Sequence, residues 1–170
     1  MTLTLCGAAL MLGLLPVQAG TPGALASPAH RFQVSFPSAP TASSVPLQSG
    51  GGTVDRWRWE GDGVLLFLDV SPATGGKDVD PATALEAGVA YLKTRAKINT
   101  EEPVTVDGVT GRALSGTMGG GFISGRYFVR DGKLYQVYGA TEVTATDQQA
   151  EVKKRLARVT AYMDTFHFAR

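Results

Sequence analysis

The chain has 170 residues and a mass of 17.9 kDa, enough for one domain with a single hydrophobic core. Its 16 Lys and Arg residues against 15 Asp and Glu give a net charge of +1, which excludes the strongly basic composition typical of nucleic-acid-binding proteins. A hydrophobic content of 44% with 18% charged residues is typical of a globular protein and excludes wholesale disorder.

The N-terminus has the pattern of a secretory signal peptide. Residues Leu3 to Leu15 form an uncharged apolar run, and Val17-Gln18-Ala19 then places small residues at positions −3 and −1 of a cleavage site. The run is shorter than the roughly 20 residues that a membrane-spanning helix needs. We therefore expect a signal peptide over 1–19, with Ala26 as the alternative cleavage site. Export to the periplasm or the extracellular space would leave no stable membrane span.

The residues after the leader predict a flexible lead-in over 20–30, because they are rich in Gly, Pro, Ala and Ser. A single domain is expected over 31–168. Its first strand is indicated by Phe32, Val34 and Phe36, which alternate with polar residues. Residues 37–52, rich in proline, serine and glycine, predict a loop.

Three hairpins are indicated by short turn motifs between apolar or alternating segments. Gly61-Asp62-Gly63 separates strands over 53–59 and 64–71, and the continuously apolar start of the second strand predicts a central position in a sheet. Asp107-Gly108 and Asp131-Gly132 are typical of two further hairpins, over 99–118 and 122–141. Gly119-Gly120-Gly121 connects them.

Two amphipathic helices are expected. Asp80 followed by Pro81 is typical of a helix N-terminus, and the helix should end near Lys97. A second helix is predicted to begin near Asp147. The apolar residues expected on the buried stripes are Leu85, Val89, Leu92 and Ala96 in the first helix, and Val152, Leu156, Val159, Met163 and Phe166 in the second.

The order of these elements predicts the fold class. Strands occur in blocks instead of alternating with helices, which favours an α+β fold over a doubly wound α/β fold. We expect a central, mostly antiparallel sheet of about 6–7 strands packed by two main helices.

Five segments of the chain carry a resemblance to a known family. They are Arg31-Phe32-Gln33-Val34-Ser35-Phe36-Pro37, the strand around 108–116, Gly125-Arg126-Tyr127-Phe128-Val129, Gly132-Lys133-Leu134-Tyr135-Gln136-Val137, and the ending Met163-Asp164-Thr165-Phe166-His167-Phe168. These segments resemble those of small exported bacterial domains with the PsbP-like (Mog/PsbP/DUF1795-like) fold. The resemblance spans roughly residues 31–168. The resemblance implies a central antiparallel sheet sandwiched by helices, and mostly non-enzymatic adaptor or ligand-binding roles.

Four arginines are candidates for a partner-binding or anion-binding surface. Alternation places Arg56 and Arg58 on one face of their strand, and Arg126 and Arg130 on one face of another. If the two strands were neighbours, the guanidinium groups would meet and could bind a carboxylate or phosphate. Separate surface arginines paired with acids are the alternative.

Four aromatic residues are candidates for an apolar groove: Trp57, Trp59, Tyr127 and Tyr135. Each could bury a large apolar area in a ligand or partner groove, but the core is the more common place for such side chains.

The sequence gives little support for a catalytic site or a metal site. The single cysteine, Cys6, lies in the leader, and His30 and His167 are too few for a histidine metal cluster. No phosphate-loop Lys-Ser/Thr pair follows the glycines at 119–121. Pairs of carboxylates that a hydrolase could use occur at Glu60 with Asp62, Asp78 with Asp80, and Glu101 with Glu102. We predict no catalytic residue, no metal and no cofactor.

The function that fits best is an exported, non-catalytic binding or adaptor domain for an unknown protein or envelope component, with no nucleic-acid partner. The first alternative is a small-molecule or lipid carrier with a cavity between sheet and helices, and a distant one is a hydrolase. An enclosed apolar cavity would favour the carrier, whereas an exposed arginine or aromatic patch on a filled core would favour the adaptor.

Overall fold

The computed structural model describes residues 23–47, 52–144 and 147–170. The expected signal peptide and its cleavage site after Ala19 lie outside these residues. Among the residues described, no helix has the length and apolar character needed to cross a membrane.

The fold is α+β, as predicted, and is built on a seven-stranded antiparallel sheet, here called the large sheet. Its strands lie in the order β3-β4-β5-β9-β8-β7-β6. Their bounds are Thr41–Pro46 (β3), Thr53–Gly61 (β4), Val64–Pro72 (β5), Lys97–Val106 (β6), Val109–Met118 (β7), Gly121–Arg130 (β8) and Lys133–Thr141 (β9).

Tight turns connect the hairpins of the large sheet as the sequence predicts. Asp62-Gly63, Asp107-Gly108 and Asp131-Gly132 each have two residues with positive φ, from 48° to 52° for the aspartates and from 70° to 81° for the glycines. This is the two-residue turn whose backbone matches the right-handed twist of paired strands. Gly119-Gly120 makes a fourth such turn, so β6 to β9 form one continuous meander.

A second, three-stranded sheet has the order β1-β2-β10, with β1 at Ala24–Ser27, β2 at Phe32–Ser35 and β10 at His167–Phe168. β1 replaces part of the flexible lead-in expected over 20–30, because residues 24–27 pair with β2 along the whole strand, and residues 20–22 lie outside the described part of the chain. Leu25 on β1 also packs against the core. Leu25 is the single large apolar residue of this four-residue strand, so the sequence shows no apolar alternation from which the strand could be predicted.

The predicted loop over 37–52 also contains a strand. β3 pairs with β4 over six consecutive residues, and all six are exposed. Because no residue of β3 is buried, the strand lacks the alternation of apolar and polar residues that identifies a half-buried strand in a sequence.

Two helices pack on the large sheet. α1 spans Pro81–Lys93, and its predicted cap is present: the Asp80 carboxylate accepts a hydrogen bond from the Thr83 N–H at 2.9 Å. The helix ends earlier than the predicted Lys97, since that residue begins β6. α2 spans Gln149–Asp164, close to its expected start.

The helices cover opposite faces of the large sheet, here called the α1 face and the α2 face. The cluster on the α1 face includes Ala84, Leu85, Val89, Leu114, Tyr127, Val129 and Leu134. The cluster on the α2 face includes Phe32, Val34, Phe36, Leu66, Leu68, Phe128, Tyr135, Val137, Val159, Tyr162, Met163, Phe166 and Phe168. The second cluster also fills the space between the large sheet and the small one.

The buried stripe of α2 is shorter than predicted. Val159 and Met163 are buried, whereas Val152 and Leu156 are only half-buried. Arg158 donates to Asp62 in the β4–β5 turn at 2.9 Å, so this part of the helix already lies at the end of the strands. Leu156, one turn before the buried residues, is therefore a poor probe of the core.

Tyr162 carries a prediction about pH. The residue is 4% exposed, and its hydroxyl has no hydrogen-bond partner among the described residues. Burial, with smaller contributions from Asp69 and Tyr138, raises the pKa of Tyr162 well above its ordinary value of 10. Because the fold favours the neutral form of Tyr162, the free energy of unfolding keeps the contribution of this protonated side chain below pH 10. The contribution is lost as the pH rises further, since the unfolded chain then releases the proton more readily than the folded protein.

We expect Tyr162→Phe to keep or slightly raise the free energy of unfolding at neutral pH, because an unpaired buried hydroxyl is removed. Above pH 10 the variant should unfold less readily than the wild type. Urea denaturation between pH 7 and pH 11 measures both effects. Tyr91→Phe is the matched control, since Tyr91 is 59% exposed. A clear loss of stability in Tyr162→Phe at pH 7 would contradict the assignment.

Candidate functional site

The large sheet separates the four candidate arginines. β5 and β9 lie between β4 and β8, and the register gives one row of residues on the same face: Arg56, Asp69, Gln136 and Tyr127. Arg126, one residue before Tyr127, must point to the opposite face. Arg56 and Arg58 therefore lie on the α1 face, whereas Arg126 and Arg130 lie on the α2 face. The expected surface of four arginines is not formed.

Arg126 and Arg130 bind the C-terminal segment of the chain. Arg126 donates to the Met163 carbonyl at 3.1 Å and pairs with Asp164, at the end of α2. Arg130 donates to the Ala169 carbonyl at 3.2 Å. Both side chains are about one-fifth exposed, at 19% and 21%. These contacts give the pair a structural role at the C-terminal end of the fold.

This role predicts a difference between two arginines. Arg126→Gln should lower the free energy of unfolding by about 1–3 kcal/mol, because the end of α2 loses a charged donor in a partly buried position. Arg58→Gln is the control and should change it by less than about 1 kcal/mol, since its ion pair with Glu60 is exposed. Chemical denaturation measures both. Equal losses would mean that Arg126 has no special structural role.

Arg56 belongs to a buried hydrogen-bond network on the α1 face. Its guanidinium binds Asp69 through two bonds, Nε to Oδ1 at 2.8 Å and Nη2 to Oδ2 at 2.6 Å. The Tyr138 hydroxyl donates to the same carboxylate at 3.3 Å, and Asp69 is 3% exposed. Burial, together with the charge of Asp69, raises the pKa of Tyr138 far above its ordinary value. The tyrosine thus stays a donor, and the carboxylate is fully bonded.

Arg56 and Tyr138 of this network also belong to a stack of aromatic and arginine side chains on the same sheet face. The Phe67 and Tyr138 rings are stacked with centroids 4.9 Å apart. The guanidinium carbons of Arg56 and Arg58 lie 5.4 Å and 6.0 Å from the Phe67 centroid, within cation–π distance. The Arg58 side chain is 46% exposed. We call the surface formed by Arg56, Arg58, Phe67 and Tyr138 the open sheet face.

The open sheet face is not covered by α1. That helix packs on the other half of the same face, over Leu114, Tyr127, Val129 and Leu134. The α1 face is therefore half core and half surface. Two of the four arginines singled out from the sequence lie together on the surface half.

The four candidate aromatics do not line a common groove. Tyr127 is on the α1 face and 3% exposed, whereas Tyr135, 2% exposed, is on the α2 face. The Trp57 ring packs edge-on against the Phe32 ring at 5.2 Å, in the α2-face cluster. Tyr127 and Tyr135 are thus core residues, and Trp57 is half-buried against the core.

Trp59 does line a groove, between β2, the β4–β5 hairpin and α2. Its indole N–H donates to the Ser38 hydroxyl at 2.8 Å. The groove has a volume of about 450 Å³ and is open to solvent. Other apolar residues along it are Phe36, Pro37, Ala161 and Tyr162. Sequence patterns could not identify it, because its walls come from three distant segments.

The histidines and nearby hydroxyls do not form a nucleophile–base pair. His30 Nε2 lies 3.0 Å from Asp55 Oδ2, and the Ser44 hydroxyl donates to the other oxygen of that carboxylate. A serine triad needs the hydroxyl on the imidazole instead. His167 Nδ1 lies 3.2 Å from Asp107 at the surface.

Four of the six carboxylates considered for hydrolysis have structural partners. Glu60 pairs with Arg58, and Asp62 with Arg158. Asp80 caps α1. Glu101 pairs with Lys93 at 2.7 Å and with Arg112 at 3.5 Å.

Comparisons with known proteins give one clear result. No known family matches the sequence, and no curated protein matches it either. The solution structure of cyanobacterial PsbP (CyanoP) from Synechocystis sp. PCC 6803 is similar in fold, with a TM-score of 0.58 and 16% sequence identity. The match covers 92% of this chain and 98% of that one. The chain therefore has a PsbP-like α+β fold.

Proposed function

We propose that the protein is an exported, non-catalytic binding domain that recognises a partner protein or envelope component through the open sheet face. The observation that carries the proposal is the contrast between the two halves of the α1 face. One half is filled by α1, while on the other half the Arg58 side chain is 46% exposed and Phe67 and Tyr138 are half-buried with no helix over them. The similarity to PsbP supports a fold suited to binding, and leaves the partner open.

The chemistry of the open sheet face favours a partner with an acidic group beside an apolar one. Arg58 presents a planar set of donors that fits a carboxylate, and its present partner, Glu60, is itself 60% exposed and can be displaced. The stacked rings of Phe67 and Tyr138 lie next to it and add apolar contact area. Arginine and aromatic side chains contribute most of the affinity in many protein interfaces.

The carrier is less favoured. Its cavity was expected between sheet and helices, but that layer on the α2 face holds Leu68, Phe128 and Val137, each 0% exposed. The groove at Trp59 lies beside this layer and is open. A serine hydrolase would need a nucleophile beside a base, and Nε2 of His30 and Nδ1 of His167 face carboxylates instead.

Capture experiments with matched charge reversals test the proposal. Tagged protein carrying Arg58→Glu should retain at least about tenfold less partner from native envelope extracts than the wild type. Lys153→Glu makes the same charge change on the exposed side of α2 and should capture the partner normally. Both variants should keep the wild-type Tm. Unaltered capture by a stable Arg58→Glu protein would exclude the open sheet face.

Export is tested separately by the intact mass of the secreted protein. We expect a chain that starts at Gly20, or at Ser27 if the alternative site is used. A full-length form that stays in the cytoplasm would contradict export.

A further inference from the structure

The two edges of the large sheet differ in how they are protected against further strand pairing. The β6 edge carries Lys97, Glu101, Glu102 and Pro103, and its register shifts between Ile98 and Thr100. Charges, prolines and irregular pairing are the devices that block an exposed edge. β3, at the other edge, has no charged residue, and all its residues are exposed. Among the described strands, β3 pairs with β4 alone.

The register shows which backbone groups of β3 are available. The Leu47 N–H donates to the Gly52 carbonyl at 3.0 Å, and pairing between β3 and β4 is continuous. Hydrogen-bonded and non-hydrogen-bonded pairs alternate in an antiparallel ladder. Ala42 and Ser44 are therefore at non-bonded pairs, and their N–H and C=O groups point away from β4. Pro46 has the same orientation, which suits a residue without an N–H.

The available groups are symmetric about Ser43. Ala42 and Ser44 lie one residue on either side of it, and Pro40 and Pro46 lie three residues on either side. We propose that β3 pairs antiparallel with β3 of a second copy of this chain, around a two-fold axis at Ser43. Each Ala42 then exchanges two backbone hydrogen bonds with Ser44 of the second copy. Beyond them the prolines face each other and end the ladder.

Self-pairing fits this edge better than a charged foreign strand does. A two-fold interface brings the same surface of both copies together, so it must be complementary to itself. The side chains of β3 are small and neutral, and no like charges meet across the axis. The nearest arginine, Arg56, lies on β4. It would be roughly 14 Å from its equivalent, at three strand spacings, which is beyond the Debye length at physiological salt.

The resulting dimer would have a continuous sheet of both copies. Antiparallel pairing around this axis keeps the α1 faces on one side, so the two open sheet faces would lie next to each other. A partner with two matching sites would then bind both. The pairing itself does not depend on the proposed function of that surface.

Sedimentation velocity over a concentration series up to about 1 mM tests the proposal. The wild type should show a reversible monomer–dimer equilibrium. Ser44→Pro should be monomeric throughout, because it removes an outward N–H and leaves the bonds between β3 and β4 intact. Ser44→Ala is the control for loss of the hydroxyl and should still dimerise. Circular dichroism melts establish that each variant is folded.

The position of the axis is tested by charge. Ser43→Lys and Ser43→Glu should each be monomeric alone, since like charges meet at the axis, and should form a mixed dimer when combined. A wild type that stays monomeric at every concentration would overturn the proposal. So would a dimer that folded Ser44→Pro and Ser43→Lys proteins form as well as the wild type.

Discussion

Phe166→Ala is expected to lower the free energy of unfolding by about 3–5 kcal/mol, the largest effect of any single substitution considered. Phe166 is 1% exposed and lies two residues after Asp164, the last residue of α2. Its ring centroid lies 6.1 Å from that of Phe32, 5.8 Å from Phe128 and 5.0 Å from Phe168. One side chain thus joins the large sheet, the small sheet and the end of α2, and its removal leaves a cavity that rigid strands cannot close.

Phe67→Ala is the matched control, because it removes the same side chain from the open sheet face. It should destabilise the protein by less than half as much, since Phe67 is only partly buried. Urea or guanidinium denaturation of the two variants gives the comparison. If Phe67→Ala were as damaging as Phe166→Ala, the surface around Phe67 would have to be part of the core.

Arg56→Gln is expected to have the second largest effect, a loss of about 2–3 kcal/mol. Asp69 is 3% exposed and would lose both bonds to the guanidinium, retaining only the Tyr138 hydroxyl. The loss is smaller than for a fully buried ion pair, because the Arg56 side chain is 38% exposed and water screens the site.

The double variant Arg56→Gln with Asp69→Asn gives the decisive comparison. It removes the uncompensated charge, so its loss of stability should be clearly less than the sum of the two single losses. Chemical denaturation of the four proteins measures this coupling. Simple additivity would show that the pair contributes nothing beyond its separate side chains.

The parts of the fold that follow local rules could be predicted from the sequence. Asp-Gly at 107–108 and 131–132 sets the turn geometry within two residues, so the hairpins are confirmed with the expected pairing. Asp80 caps α1 for the same reason, since the cap depends on the next three residues alone.

The candidate site depended on strand order, which is not local. β5 pairs with β9, whose residues come about seventy positions later in the sequence. β5 and β9 therefore both lie between β4 and β8. Arg126 is also one residue out of register with Arg56, and a single residue reverses the face. Alternation within each strand was therefore right for both pairs of arginines, yet it could not place the pairs relative to each other.

Site-specific photo-cross-linking tests most directly the claim that the open sheet face binds a partner. p-Benzoylphenylalanine in place of Phe67 keeps an aromatic ring on this face, and the same group in place of Lys153 labels the opposite side of the molecule. In cells that produce the protein at native levels, we predict one defined cross-linked species from position 67 and none from position 153. A folded, exported protein that gives no cross-link at position 67, or the same species from both positions, would contradict the account.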